Sequence, residues 1–268
     1  MHSGNDSSDK RCDIFTQGKS KSRQSAKNLI ENGNVLIDGS KLTKPSIDID
    51  DSIEHDIEII NKPQFVSRGG EKLNEALNAF KIDVTGLTCI DVGASTGGFT
   101  DCLLQRGAKI VYAVDSGHSQ LDNSLVNDER VVAMEKYNAR FIKTDDFPCE
   151  FDVAVMDVSF ISQTFMYTGL SSVIKDGGNL ITLIKPQFEC GKSALNSHGI
   201  VKKASYHIQA INKVIDSATI CGFSCIDLIV SPIVGGSGNV EFLIHLQKSQ
   251  NPKNHISENK IKQIAQSK

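Results

Sequence analysis

Four ionisable residues, far apart along the chain, stand in polar stretches where strand or helix ends are expected to converge. They are Lys72 in Val66-Ser67-Arg68-Gly69-Gly70-Glu71-Lys72-Leu73, Asp157 in Met156-Asp157-Val158-Ser159-Phe160, Lys185 in Leu183-Ile184-Lys185-Pro186, and Glu241 in Val240-Glu241-Phe242. Asp157 and Lys185 follow runs so apolar that an unpaired charge there would be expensive, so they are expected to pair with each other or with Glu241 and Lys72. Two lysines among carboxylates suit one kind of work, helping a sugar hydroxyl attack a sulfonium methyl. Such a hydroxyl holds its proton tightly; a lysine can take it or stabilise the alkoxide that develops. A neighbouring lysine and partial burial make the neutral amine easier to reach. In this reading Lys185 stands closest to the hydroxyl, Asp157 and Glu241 orient it, and Lys72 stabilises charge or a substrate phosphate. Taken singly, each residue is more often a surface ion-pair partner.

A second group of residues could hold a ligand. Cys89-Ile90-Asp91-Val92 is a hydrophobic strand that opens into Gly93-Ala94-Ser95-Thr96-Gly97-Gly98 and then into the helix beginning at Phe99. Glycines let backbone approach a ligand, and free amides at a helix start favour a carboxylate or phosphate. Gly93, Ala94, Ser95, Gly97 and Gly98 are thus candidate cofactor contacts, for a nucleotide or for S-adenosylmethionine. A dinucleotide fingerprint would want glycine at 93, 95 and 98, but Ser95 breaks it. Asp115 ends the next strand and can accept both hydroxyls of an adenosine ribose. Asn138 is placed to meet the adenine edge, and Asp157 to border the cofactor. The plainer alternative is that these glycines only make a tight turn.

Stepping outward, seven strand-like runs must carry these groups: Leu87–Val92, Lys109–Asp115, Val131–Tyr137, Phe151–Val158, Asn179–Pro186, Ser224–Ile233 and Val240–Gln247. Alternation with helices predicts an α/β doubly wound, mostly parallel sheet, with the last two strands paired antiparallel across Gly235-Gly236-Ser237-Gly238. Leu73, Ala76, Leu77 and Phe80 fall at helical spacing and lead into this domain. Upstream lies a smaller α+β unit: helices broken at Gly18, with Ser22 as N-cap and Gly33 past the end, then a hairpin turning at Asp38-Gly39. The expected boundaries are a tail at 1–10, the small domain at 11–61, the large one at 62–248, and a polar, frayed tail at 249–268.

Charge separates the two units. The chain carries a net charge of −3, yet residues 10–44 hold a net +5. Lys19, Lys21, Arg23 and Lys27 form a basic stripe suited to phosphates, and Arg68 is a further candidate RNA contact. With no aromatic platform in residues 10–44, the stripe is expected to read folded RNA shape. Seven dispersed cysteines, without a Cys-x-x-Cys pair, lead us to expect no metal. The longest apolar runs are too short for a membrane span, and the polar start lacks the order of a secretory signal, so a cytoplasmic protein is expected.

Together these motifs resemble the TlyA, or haemolysin A-like, family. The resemblance covers about residues 11–247, through Val66–Leu73, Asp91–Asp101, Leu104–Ala108, Ala113–Asp115, Asp157–Ser162, Lys185–Glu189 and Gly238–Glu241. It implies an S4-type RNA-binding domain and an FtsJ-like, Rossmann-like class I methyltransferase domain. It also implies S-adenosylmethionine as cofactor, and Lys72, Asp157, Lys185 and Glu241 as a catalytic tetrad. The expected activity is methylation of a ribose 2′-hydroxyl, typically of cytidine, with ribosomal RNA or a ribosomal subunit as partner. Ser116-Gly117-His118-Ser119-Gln120 departs from the family's usual Val-Gly-Tyr-Gly-Gln, and Arg11-Cys12-Asp13 from Arg-Leu-Asp. The competing readings are a non-catalytic ribosome-assembly factor, a membrane-active haemolysin, and a small-molecule methyltransferase that would leave the basic N-terminal unit unexplained.

Overall fold

The computed structural model describes residues 23–31, 33–45, 55–60 and 63–267. The chain divides into two compact units, Met1–Gln64 and Phe65–Lys268.

In the first unit, helix α1 (Arg23–Glu31) precedes strands β1 (Val35–Ile37), β2 (Ser40–Leu42) and β3 (Ile57–Ile59), which form an antiparallel sheet in the order β2-β1-β3. Asp38 and Gly39 both have positive φ, the backbone of a two-residue turn whose twist matches a hairpin. Ala26, Leu29 and Ile30 on one face of α1 bury against Val35 and Leu42. The expected helix break at Gly18, the Ser22 cap and the 1–10 tail lie outside the described residues.

The second unit is built on a seven-stranded sheet. Its strands are β4 (Thr88–Val92), β5 (Ile110–Val114), β6 (Val131–Met134), β7 (Phe151–Met156), β8 (Ile174–Ile184), β9 (Phe223–Val230) and β10 (Phe242–Lys248). They lie in the order β6-β5-β4-β7-β8-β10-β9. The first five are mutually parallel, and β10 runs antiparallel to both β8 and β9. The expectation that the last two strands pair antiparallel at the edge of the sheet holds, with β9 outermost and the last strand, β10, between it and β8. That insertion gives both edges of the largely buried β10 a hydrogen-bonded neighbour.

Alternation along the strands divides the core in two. Ile90, Val92, Ala154, Met156, Leu180, Ile184, Phe242 and Ile244 face one way, packing with α5 (Tyr167–Val173) and α7 (Ala204–Ile220). Cys89, Val153, Val155, Ile181, Leu183 and Leu243 face the other, with α2 (Gly69–Phe80), α3 (Gly98–Gln105) and the short α4 (Asn123–Val126). At about 25 cal/mol per Å² of apolar area buried, these two layers are the main stabilising term.

The expected frayed tail is not observed. Ser257 caps α8 (Glu258–Gln266) by accepting from the Lys260 amide, and Ile256, Ile261 and Ala265 bury in the first core layer beside α7. Ile261, Ile264 and Ala265 within the helix, with Ile256 just before it, suffice to dock a helix whose other residues are polar.

Candidate active site

The carboxyl ends of β4, β7 and β8 and the start of β10 meet on one side of the sheet. Val92 is in register with Met156, Met156 with Thr182, and Ile184 with Phe242. One residue further on, these strands carry Gly93, Asp157 and Lys185, while Glu241 immediately precedes Phe242. Asp157 N donates to Val92 O at 3.0 Å. At Gly93, whose φ is +82°, a Cβ would stand 2.7 Å from the Asp157 carbonyl oxygen, so only glycine allows that approach.

Two ion pairs form here. Lys185 Nζ lies 2.6 Å from Asp157 Oδ1 and donates to Ser159 Oγ at 2.7 Å. Lys72 Nζ donates to Glu241 Oε2 at 2.6 Å. Both lysines are buried, and Glu241 is 3% exposed. The structure thus brings all four residues to the strand ends beside Gly93. It corrects one detail: Glu241 holds Lys72, and the second group on Lys185 is the Ser159 hydroxyl. Lys72 reaches the site from the first turn of α2, whose start packs against the start of α3. There a Cβ on Gly98 would meet Ser67 Oγ at 2.2 Å and Gly70 N at 2.9 Å.

Next to the glycine turn is a cleft lined by Ala94, Ser95, Asp115, Gly117, Gln120 and Glu135. The Asp115 carboxylate accepts from the amides of Ser95 at 2.8 Å and Gly117 at 2.7 Å, which fixes its direction. Gly93, Gly97 and Gly98 shape the turn rather than line the cleft. Asn138 does not line it either; its side chain accepts from Arg140 N at 3.1 Å and caps a short 3-10 turn. Gln120 and Glu135 were missed. Glu135 had a signal: it follows apolar β6 as Asp115 follows β5. Acidic groups at successive strand ends, above a glycine turn that admits close backbone approach, fit the adenosine and amino-acid parts of S-adenosylmethionine.

Beneath the turn, Asp91 is wholly buried; Thr100 Oγ1 donates to one oxygen at 2.7 Å and the other has no partner. Burial pushes its pKa up to about 7. At the mouth, Phe160 is 92% exposed with φ +65°, its ring 5.3 Å from that of Phe188. The Arg68 guanidinium lies near Gly236, in the loop that leads to Glu241.

Of the basic stripe, Lys19 and Lys21 lie outside the described residues. Arg23 opens α1, and Lys27 is exposed and 3.9 Å from Glu31, one turn on.

Comparison with known proteins agrees with this architecture. The FtsJ-like methyltransferase family matches residues 65–248, and the S4 domain matches residues 14–52. Hemolysin A of Brachyspira hyodysenteriae is 42% identical over 236 residues, 87% of this chain and 96% of that protein. The 16S/23S rRNA (cytidine-2′-O)-methyltransferase TlyA of Mycobacterium tuberculosis is 38% identical over 235 residues, 88% of each chain. A solved structure from Streptococcus thermophilus, of a protein named after hemolysins, superposes with a TM-score of 0.78. It has 41% identity and covers 95% of this chain and 94% of that one. An FtsJ-like catalytic unit preceded by an S4 domain, with relatives of this identity along nearly their whole length, means that the chain belongs to the TlyA, haemolysin A-like, family of methyltransferases.

Proposed function

We propose that this protein transfers a methyl group from S-adenosylmethionine to the ribose 2′-hydroxyl of a nucleotide, a cytidine, in ribosomal RNA. The observation that carries this reading is the meeting of Lys185–Asp157 and Lys72–Glu241 at the strand ends beside the Gly93 turn. The relative from Mycobacterium tuberculosis is named for the same reaction.

When bound, the cofactor supplies an electron-poor methyl carbon. Asp115 and Glu135 hold its adenosine side, and Ala94 and Ser95 line its path along the turn. Lys185 Nζ, held by Asp157 and Ser159, faces the incoming hydroxyl; as a neutral amine it takes the hydroxyl proton while the oxygen attacks, or as an ammonium it stabilises the alkoxide that develops. Lys72, paired with Glu241, offsets negative charge on the substrate ribose or phosphate. Phe160 and Phe188 give the target base an exposed aromatic surface to rest on, which an RNA enzyme needs once a nucleotide leaves its stack. The S4 domain, with Lys19, Lys21, Arg23 and Lys27, grips phosphates elsewhere on the RNA, and Arg68 contacts the strand near the active site. A substrate of this kind would be met in the cytoplasm, which is the compartment that belongs to this reading. Among the described residues no helix is long and apolar enough to cross a membrane.

The test is methyl transfer from labelled S-adenosylmethionine to ribosomal RNA, followed by mapping of 2′-O-methylated nucleotides. Lys185→Ala should lower the rate by about 10²–10⁴-fold, the usual span for a lost acid–base group, while cofactor binding persists. A wild-type protein that binds ribosomal RNA yet methylates no ribose would leave the assembly-factor reading standing instead.

A further inference from the structure

Behind the charged residues lies a buried acid that the reaction described above does not use. Glu189 ends the short helix α6 (Pro186–Glu189), four residues after Lys185, and is 8% exposed. Its Oε2 accepts from Ser162 Oγ at 2.5 Å and pairs with Lys213 Nζ of α7 at 2.9 Å; its Oε1 accepts from the Gln163 amide at 2.9 Å. Lys213 Nζ also donates to the Glu189 carbonyl at 3.0 Å. Gln163 continues the connection: its Nε2 donates to Leu183 O at 3.2 Å, and its Oε1 accepts from Tyr167 OH at 2.9 Å and Thr182 Oγ1 at 2.5 Å.

These bonds join two segments. One is 157–163, which leaves β7 and carries Asp157 and Ser159; the other is 182–189, which leaves the neighbouring parallel strand β8 and carries Lys185. Loops at adjacent strand ends have no ladder to set their spacing. Here a carboxylate with one bond to the backbone of the first loop, one to its side chain and one to α7 sets it. A carboxylate suits the site because the Gln163 amide and the Lys213 ammonium can only donate, and each takes a different one of its oxygens. An amide could offer only one accepting oxygen, and its NH₂ would face another donor. The ionised form also keeps these hydrogen bonds short and strong, and Lys213 offsets its charge.

We infer that Glu189 is a positioning residue for methyl transfer: by clamping Ser162-Gln163 to the Lys185 loop, it fixes the Asp157–Lys185–Ser159 geometry in which the ammonium meets the hydroxyl. This rests on the reading of Lys185 as the group that handles the substrate proton. Groups that orient a functional shell from behind are commonly worth about 10–100-fold, and a misplacement of about 1 Å can cost about 100-fold.

The experiment measures kcat, both KM values and the kcat–pH profile for wild type, Glu189→Gln, Ser162→Ala and Lys185→Ala. Ile261→Ala, in the core layer beside α7 and outside the site, serves as a control for general destabilisation. Glu189→Gln should lower kcat by about 10–100-fold, with KM for S-adenosylmethionine and RNA within about twofold, and should change the shape of the kcat–pH profile. Ser162→Ala keeps the Glu189–Lys213 pair and should lower kcat by several-fold, so the inference stays testable if Glu189→Gln does not fold. If Lys185→Ala is inactive while both clamp variants keep wild-type kcat and profile, the clamp is wrong and the proposed function survives. A kcat loss matched by Ile261→Ala, with the profile unmoved, reduces Glu189 to a structural role and also overturns it. If Lys185→Ala retains full activity, the underlying reading of Lys185 fails first.

Discussion

At the residue scale, the site is two ion pairs with different surroundings. Lys72 and Lys185 are equally enclosed, but Asp157, the partner of Lys185, is 21% exposed, against 3% for Glu241, the partner of Lys72. Removing one partner of a closed pair strands a charge in a poorly solvated place. Lys72→Ala should therefore cost about 3–5 kcal/mol of folding stability, whereas Lys72→Met with Glu241→Leu should recover most of it. Neither variant should methylate RNA. Denaturant melts alongside methyl-transfer assays separate the two effects; activity in the stable double variant would remove Lys72 and Glu241 from the chemistry. The pairing of Lys72 with Glu241 joins residues 169 positions apart, which no local pattern could indicate. The need for pairing was legible, because charges at the ends of apolar strands rarely stay alone.

At the element scale, the β4–Gly93–α3 unit couples the cofactor cleft to the charged residues. Gly93→Ala would need an alanine at φ +82° with its Cβ 2.7 Å from the Asp157 carbonyl. We expect a stability loss of about 1–3 kcal/mol and at least about tenfold weaker binding of S-adenosylhomocysteine by calorimetry. Undiminished binding would show that the turn tolerates a side chain and that the close approach is incidental. Elements formed by local rules were readable in the sequence: the Asp38-Gly39 hairpin, and the helix through Leu73, Ala76, Leu77 and Phe80. The C-terminal helix was not, because its polar residues outnumber the three that dock it. Deleting residues 253–268 removes Ile256 and Ile261 and uncovers the core beneath them, and should cost on the order of 5 kcal/mol, read as a lower melting temperature. An unchanged melting temperature would mean that α8 only rests on the domain.

At the scale of the whole molecule, two buried groups pull stability in opposite directions with pH. Asp91, with its pKa raised to about 7, keeps a proton in the folded state that the unfolded chain releases near pH 4, so its contribution falls as pH rises from about 4 to 7. His245, lowered to about 4 by burial, stays neutral in the folded state while the unfolded chain protonates near 6.5. Its contribution is therefore lost as pH falls from about 6.5 to 4. Relative to wild type, Asp91→Asn should gain stability with rising pH across 4–7, by up to about 4 kcal/mol in total. His245→Gln should do the reverse across 4–6.5. Denaturation midpoints at several pH values check both signs; parallel curves for the two variants would contradict them.

The sequence by itself determined what short-range rules control: strand and helix periods, the glycine turn, the Asp-Gly hairpin, the confinement of positive charge to one unit, and the residue types that needed partners. Only the tertiary structure decided the rest. It inserted β10 between β8 and β9, assigned Glu241 to Lys72 and Ser159 to Lys185, turned Asn138 into a cap, and brought Glu135 to the cleft and Glu189 behind Lys185. The physical reason is common to all of these. Strand order and side-chain partners depend on which surfaces meet after loops of tens of residues close, and many sequences share the same local pattern while closing differently.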